Sequence, residues 1–465
     1  MANGWLGLNT ALSGLRTSQQ MLDISAHNIA NVSTPGYSRQ RAQIVAAPPF
    51  SVPAFNRSGL PGQLGTGVMV SSIDRIRDVY LDQQINQQQS LTGYWTARSD
   101  VLATAESTFP EPSNTGLGNE LSKFWSSWED LSANPSSSAA RTAVLTQASS
   151  LAARFSRDSG QLTTQMTGVD SQVRGTIADV NDFASQIAAL NKQIQGIETT
   201  GDNANDLRDQ RDQLVQQLNE LVPTNAVTQK DGTVTLLIGG TALVDHETAR
   251  TVSATNDAAG HAIPTWSSGD PIAVDGGKLK SYIETRDTTL AGYQTSLNQL
   301  AQQLADQVNT IHQSGVDQNG APGLALFTYT PGSAASTLAI NAAVGTDPSK
   351  VVVAATAGAP GDTSIASQIA DLANSATFGT GTQTPTDAYA SFIGQIGADA
   401  KQASEMQGNQ SLVLTQLDNR RSSISGVSLD EEATDVIKFQ QAYQASAKVI
   451  TTINEMLDTL INRMI

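Results

Sequence analysis

The sequence predicts a mainly α, elongated, multi-domain protein. Long coiled-coil-like helices dominate it, with the N- and C-terminal helices paired and a small β-rich insert. Three observations carry this expectation. Prolines cluster, leaving windows 1–34, 62–109, 136–222, 272–321 and 386–465 free of them, and proline is what interrupts helix interiors. Apolar residues recur in those windows at a mean spacing of about 3.5 residues, the period of a helix seam. Hydrophobic residues are only 39% and aromatics 5% of 465 residues, which suits thin cores along extended helices better than one large globule.

The first window carries Leu8, Leu15, Leu22 and Ile29 on one row and Leu12, Gln19 and Ala26 on a second. Its helix is expected to stop near Asn31. Thr34 is pushed extended by the proline after it, and Pro35-Gly36 suits the centre of a type II turn. Tyr37 onward then runs as a strand or arm, and Gly67–Ile76 as a second extended stretch.

The proline-bearing segments 35–61, 110–135, 223–271 and 322–385 read as turns, strands and loops. Between them, Val173, Ile177, Val180, Ala184, Ile187, Asn191 and Ile194 form a seam. Leu207, Leu214, Leu218 and Leu221 continue it after Gly201-Asp202, and Leu290, Leu297, Leu304 and Ile311 line a further helix. The hairpin pattern Ala226–Gln229, Lys230-Asp231-Gly232, Thr233–Ile238 opens the insert, with Asp-Gly supplying the turn. Thr241–Val244 and Thr251–Ala254 add strands.

The last window carries Leu429, Val436, Tyr443, Ile450, Leu457 and Met464 on one row, and Ala433, Gln440, Ala447, Asn454 and Ile461 on the other. Ser428 is placed to cap this helix, with Glu431 at the capping-box position. Ile437, Val449, Ile453 and Leu460 fall off that seam and predict a second apolar face. The assembly-interface candidates are Leu8, Leu12, Leu15, Leu22, Ile29, Val436, Tyr443, Ile450, Leu457, Ile461 and Met464. The expected units are 1–60 with 425–465 as a terminal helical core, 61–222 with 277–424 as a helical bundle, and 223–276 as the β insert.

The net charge of −16 repels phosphate, so neither nucleic acid nor an anionic membrane is expected as a partner. Cysteine is absent, which excludes thiol nucleophiles and Cys-ligated metals. No secretory leader pattern and no membrane-length apolar run is visible. Motifs for a zinc protease, a serine-hydrolase elbow or a phosphate loop are missing. Asp245, His246 and Glu247 are adjacent, and neighbouring strand residues point to opposite faces, so they read as a solvated loop. Asp209-Gln-Arg211-Asp212 reads as a solvated helix face with local ion pairs. No catalytic, cofactor-binding or metal residue is assigned, and no cofactor is expected.

The run Asn28-Ile-Ala-Asn31-Val-Ser-Thr-Pro35-Gly36-Tyr37-Ser-Arg39-Gln-Arg41 resembles the N-terminal signature of bacterial flagellar rod, hook and hook-associated proteins. Its signature-turn residues are Asn28, Asn31, Pro35, Gly36, Tyr37 and Arg39. Asn205-Asp-Leu-Arg-Asp-Gln-Arg-Asp212, together with Asn134-Pro135 and Arg141–Leu145, resembles the central helices of hook-associated members. Ser425–Glu432 followed by Phe439-Gln-Gln-Ala-Tyr443 resembles the family's C-terminal signature.

The resemblance implies a non-enzymatic structural part that joins hook to filament at the cell exterior. It implies export by the flagellar type III apparatus without a cleaved leader, and a cytosolic export chaperone on the C-terminal helix. Implied partners outside are hook protein, a second junction protein toward the filament, and further copies in a ring of about eleven subunits with head-to-tail contacts. Another axial protein (hook or rod) and a secreted enzyme carrying axial termini are the alternatives. A rod protein would be shorter, a hook protein more β-rich in its middle, and the enzyme would need an added domain for which no length is left.

Overall fold

One helix organises the body. The computed structural model describes residues 2–49, 65–111, 113–359, 361–379 and 381–463, without the side chains of 2–5 and 460–463. Within it α4 runs unbroken over Ser138–Glu198, 61 residues, which at 1.5 Å per residue is roughly 90 Å. The proline-free window allows this length, and the Ser137 side chain caps its start by accepting from the Ala140 N–H.

The other elements are α1 (Ala2–Ala30), β1 (Gln40–Ala46), β2 (Val68–Arg75), α2 (Val79–Thr108), α3 (Leu117–Ala133) and α5 (Asn205–Leu221). Strands β3 (Asn225–Thr228), β4 (Val234–Ile238), β5 (Thr241–Asp245) and β6 (Thr248–Ala249) form an antiparallel meander, and β7 (Val252–Asn256) pairs with β8 (Ala262–Trp266). Then come α6 (Gly277–Glu284), a π-helical turn Thr285–Leu290 and α7 (Ala291–Gln313). After β9 (Phe327–Thr328) the chain makes α8 (Ala334–Thr337), β10 (Ala339–Ile340), α9 (Ala342–Gly345) and α10 (Ser364–Asp371). It ends with α11 (Pro385–Ser425) and α12 (Leu429–Arg463).

Two apolar cores share α4. The first gathers Phe124, Trp128 and Leu131 of α3, Leu151 and Phe155 of α4, Leu297 and Leu304 of α7, and Ile396 of α11. The second gathers Val173, Ile177 and Ile187 of α4, Leu218 of α5, and Leu236 and Leu243 of the meander. Asn191, in the α4 seam, binds the meander: its amide donates to the Val234 and His246 carbonyls and accepts from the Val234 N–H. The hairpin turn forms at Gly232, whose φ of 80° is the left-handed region glycine tolerates.

The structure corrects the expectation for 110–135 and for 322–385, the latter holding the short helices α8, α9 and α10 between its prolines. α3 lies within the former segment and supplies the largest aromatic side chains of the first core. Its prolines stand outside the helix, where they bound it rather than break it.

Arg286 is fully buried in the π-helical turn between the cores. It donates to both Asp287 oxygens, to Asp170 of α4 at 2.6 Å and to the Ala262 carbonyl. His312 is also buried: its Nδ1 donates to the Leu324 carbonyl at 2.6 Å and its Nε2 accepts from the Val352 N–H at 3.0 Å. Desolvation holds its pKa down at about 4, so it is neutral and structural.

Candidate assembly interface

The terminal helices pair antiparallel. A Cβ on Gly7 would lie 3.4 Å from Ile453 Cδ1, and one on Gly14 would lie 3.1 Å from Ser446 Oγ. These contacts are seven residues apart on both helices, in opposite senses, which is the heptad repeat of a coiled coil. The rows Leu8, Leu15, Leu22, Ile29 and Val436, Tyr443, Ile450, Leu457 are half-buried. Leu12 is half-buried too, the side chain of Ile461 is not described, and Met464 lies outside the described residues.

The second rows differ from expectation by one position. On α1 the buried partners of the first row are Ala11, Ser18 and Ser25, while Gln19 and Ala26 are exposed. On α12 Glu432 is buried and Phe439, Ser446 and Ile453 are half-buried; of the expected second row Ala433, Gln440 and Asn454 are exposed, while Ala447 is half-buried. Steps of three and of four both give a 3.5-residue mean. On α1 close approach selects the row of small residues, Ala11, Ser18 and Ser25, because small side chains let backbones come near. Ile437, Val449 and Met456 remain exposed on α12. An open groove between the helices is lined by Leu6, Ala11, Ala445, Val449 and Ile453.

The turn after α1 is built from its own side chains. Asn31 donates to the His27 carbonyl and accepts from Thr34 Oγ1, closing the helix end. The Tyr37 N–H donates to the Thr34 carbonyl across Pro35-Gly36, with Gly36 at φ 79°, as a type II turn requires. Buried Asn28 acts like a strand edge: its Oδ1 accepts from the Gln40 N–H and from Tyr37 Oη at 2.7 Å, and its Nδ2 donates to the Gln40 carbonyl. Burial and the negative Asp206, Asp209 and Glu432 push the Tyr37 hydroxyl pKa up, so it stays protonated and donating.

Beyond the turn the chain is extended, and successive side chains point to opposite sides. Ser38 reaches α5: its N–H and its Oγ each donate to buried Asp209 at 2.8 Å. Arg39 reaches the other way, to the first turn of α12. Its Nε donates to Glu432 at 2.6 Å, its Nη1 to Glu431 at 2.5 Å, and its N–H to the Ser425 carbonyl. Burial opposes its charge, but the hydrogen bonds and charges of Glu431 and Glu432 outweigh that and raise its pKa. Glu431 is therefore turned to Arg39 rather than back over the helix start as a capping box would need. Gln40 reaches Asp206 at 2.7 Å, and Asp206 also meets His27 Nε2 at 3.3 Å.

From β2, Arg75 donates to Asp209 at 2.6 Å and to Asp212 at 3.0 Å. Arg77 donates to Asp82 and Asp212 at 2.9 Å each. β1 and β2 pair antiparallel with Gln40 opposite Arg75, which brings both sets of side chains to one ledge of α5. The stretch of α5 expected to be solvated is thus buried on two sides, Asp209 in this docking ledge at 6% exposure and Arg211 against Asn191 and the Gly232 carbonyl at 3%. Sequence reading missed Ser38, Gln40, Arg75, Arg77, Asp206, Asp209 and Asp212 as a set. The available signal was three aspartates at a spacing of three, which share a helix face.

The trio Asp245, His246 and Glu247 sits at the turn between β5 and β6, with His246 at φ 52°. Asp317 accepts from the Asn319 and Ala321 N–H groups in a tight turn. Among the described residues no group of three or more His, Asp or Glu is placed to hold a metal ion.

Residues 102–327 match the family model described as flagellar hook-associated protein FlgK helical domain. Residues 8–37 match flagella basal body rod protein, and 420–464 match flagellar basal body rod FlgEFG protein C-terminal. Flagellar hook-associated protein 1 of Bacillus subtilis is 31% identical over 504 residues, covering 100% of this chain and 99% of the relative. The chain belongs to the flagellar hook-associated protein 1 family. The relative of that name from Escherichia coli is 30% identical, over 98% of this chain and 99% of its own length. A solved structure, the flagellar hook junction protein FlgK from Burkholderia pseudomallei, superposes with a TM-score of 0.66 at 17% identity. It covers 74% of this chain and 100% of that chain, and shows the same fold. The two rod-type matches fall on the terminal helices, and the hook-associated match falls on the body.

Proposed function

We propose that this protein is a non-enzymatic structural part of the bacterial flagellum that joins hook to filament. The full-length likeness to flagellar hook-associated protein 1 carries the reading. The interface supports it, because the polar side chains of the signature are spent on holding helices together rather than on a reacting site. The terminal helices insert into a junction ring of about eleven subunits, a head-to-tail assembly. Its contacts use the rows Leu8 to Ile29 and Val436 to Leu457, with Ile461 and Met464 beyond.

The neighbours in this reading are hook protein on one side and a second junction protein on the other. Before export a cytosolic chaperone covers α12, and the flagellar type III apparatus carries the chain outside. Neither nucleic acid nor membrane is a partner. Residues 1–60 with 425–465, joined by the stretch through Arg77 whose strand β2 pairs with β1, act as the ring unit, and the rest of 61–222 with 277–424, bearing the insert 223–276, projects from it.

Deletion tests the proposal. Cells without the chain are expected to make normal hooks and shed filament subunits into the medium. Attached filaments in the deletion strain would overturn it.

A further inference from the structure

We propose that Asp209 and its partners form a releasable lock that sets the angle at which the body projects from the terminal helix pair. The inference rests on the functional reading above and names how the two parts are joined. Among the described residues, neither apolar core contains any residue of α1, β1, β2 or α12. Both cores therefore lie in the body, and something other than core burial holds the body to the terminal helix pair.

That joint is polar and dense. From the terminal side come Ser38, Gln40, Arg75 and Arg77, and from α5 come Asp206, Asp209 and Asp212. Asn205 and Asn203 add donors to the Ile73 carbonyl at 2.8 and 3.1 Å. Asp209 is the pivot, because one carboxylate serves Ser38 and Arg75 at 2.8 Å or less and Arg77 at 3.4 Å. Burial of apolar surface is non-directional and would tolerate several related angles. Charge-assisted hydrogen bonds are directional and specify one. Opening the joint exchanges its hydrogen bonds for water and disturbs neither body core, so the angle can be released without unfolding the body.

Arg39 links the lock to α12. Ser38 and Arg39 are consecutive, and one grips α5 while the other grips Glu431 and Glu432. A change in the seating of α12 is thereby delivered to α5 through two neighbouring residues of one extended strand.

Hook–filament junctions imaged by cryo-electron microscopy in cells carrying wild type, Asp209→Ala or Asp209→Asn test the lock. In Asp209→Ala the terminal helices should be resolved as in wild type while the body spreads over several orientations. Asp209→Asn should be intermediate, since its amide oxygen still accepts from Ser38 but loses the charge facing Arg75 and Arg77. Body density in Asp209→Ala as sharp as wild type and at the same angle would overturn the lock. So would loss of helical circular dichroism in purified Asp209→Ala, which would make the residue a folding determinant. Absence of the wild-type chain from the junction would sink the functional reading, and the lock with it.

Discussion

Gly14 faces Ser446 so closely that a Cβ added to the glycine would lie 4.0 Å from the Cβ of the serine. That separation is within the range of disulfide-bonded cysteines, about 3.5–4.5 Å. The chain has no cysteine of its own. Gly14→Cys with Ser446→Cys should therefore oxidise to a single bond between the terminal helices. If the pair forms within one chain, non-reducing electrophoresis shows a faster monomer. A dimer ladder instead would place the Ser446 partner in a neighbouring subunit.

Register should matter more than composition in α12. One alanine inserted after Gln444 rotates everything beyond it by about 100°. Ser446, Ile450, Ile453 and Leu457 then leave the seam. Filament attachment should be lost, as counted on stained cells. Seven inserted alanines restore the facing and shift the distal half by roughly 10 Å, so partial attachment should return. Normal attachment with the single insertion would refute the seam.

Replacing Trp128 with alanine should cost about 3–5 kcal/mol of body stability, the range for emptying an aromatic core site. Trp128 is fully buried against Phe124 and His312. The urea midpoint of the first core should fall, while the seam variants above leave it unchanged.

Acid should weaken the same core through His312. Its folded pKa is about 4, held by burial below the ordinary histidine value of 6.5. The unfolded chain thus takes up the proton first. Stability is full above about pH 6.5 and declines as the pH falls toward about 4, by about 3 kcal/mol in all. Below that pH both states are protonated and the loss stops. Carboxylates titrate as well, so the quantity to measure is the difference between wild type and His312→Gln. That difference should shrink across this window; a constant difference would contradict the assignment.

Long periodic helices were the legible part of the fold. The α4 seam from Val173 to Ile194 reads directly because every one of its seven positions is buried. The Asp231-Gly232 turn reads directly because its geometry demands glycine. α3 was hidden by its flanking prolines, although Leu117, Leu121, Phe124, Trp128 and Leu131 already stood at helical spacing. The joint on α5 was not legible. Ser38, Arg75 and Arg77 lie 171, 134 and 132 positions from Asp209, and a row of acids carries no mark of which distant cations will meet it. The second row of α1 failed for another reason: Ala11, Ser18 and Ser25 carry little hydrophobic signal, yet small residues decide how near two backbones can come.

The two cores change over within a single turn of α4, since Val169 belongs to the first and Val173 to the second. No linker separates them. A tug on the strand-rich end is borne by the backbone hydrogen bonds of one rod and arrives at the other end undiminished. Slack between the halves has nowhere to accumulate, so the body answers a turning load as a stiff spoke.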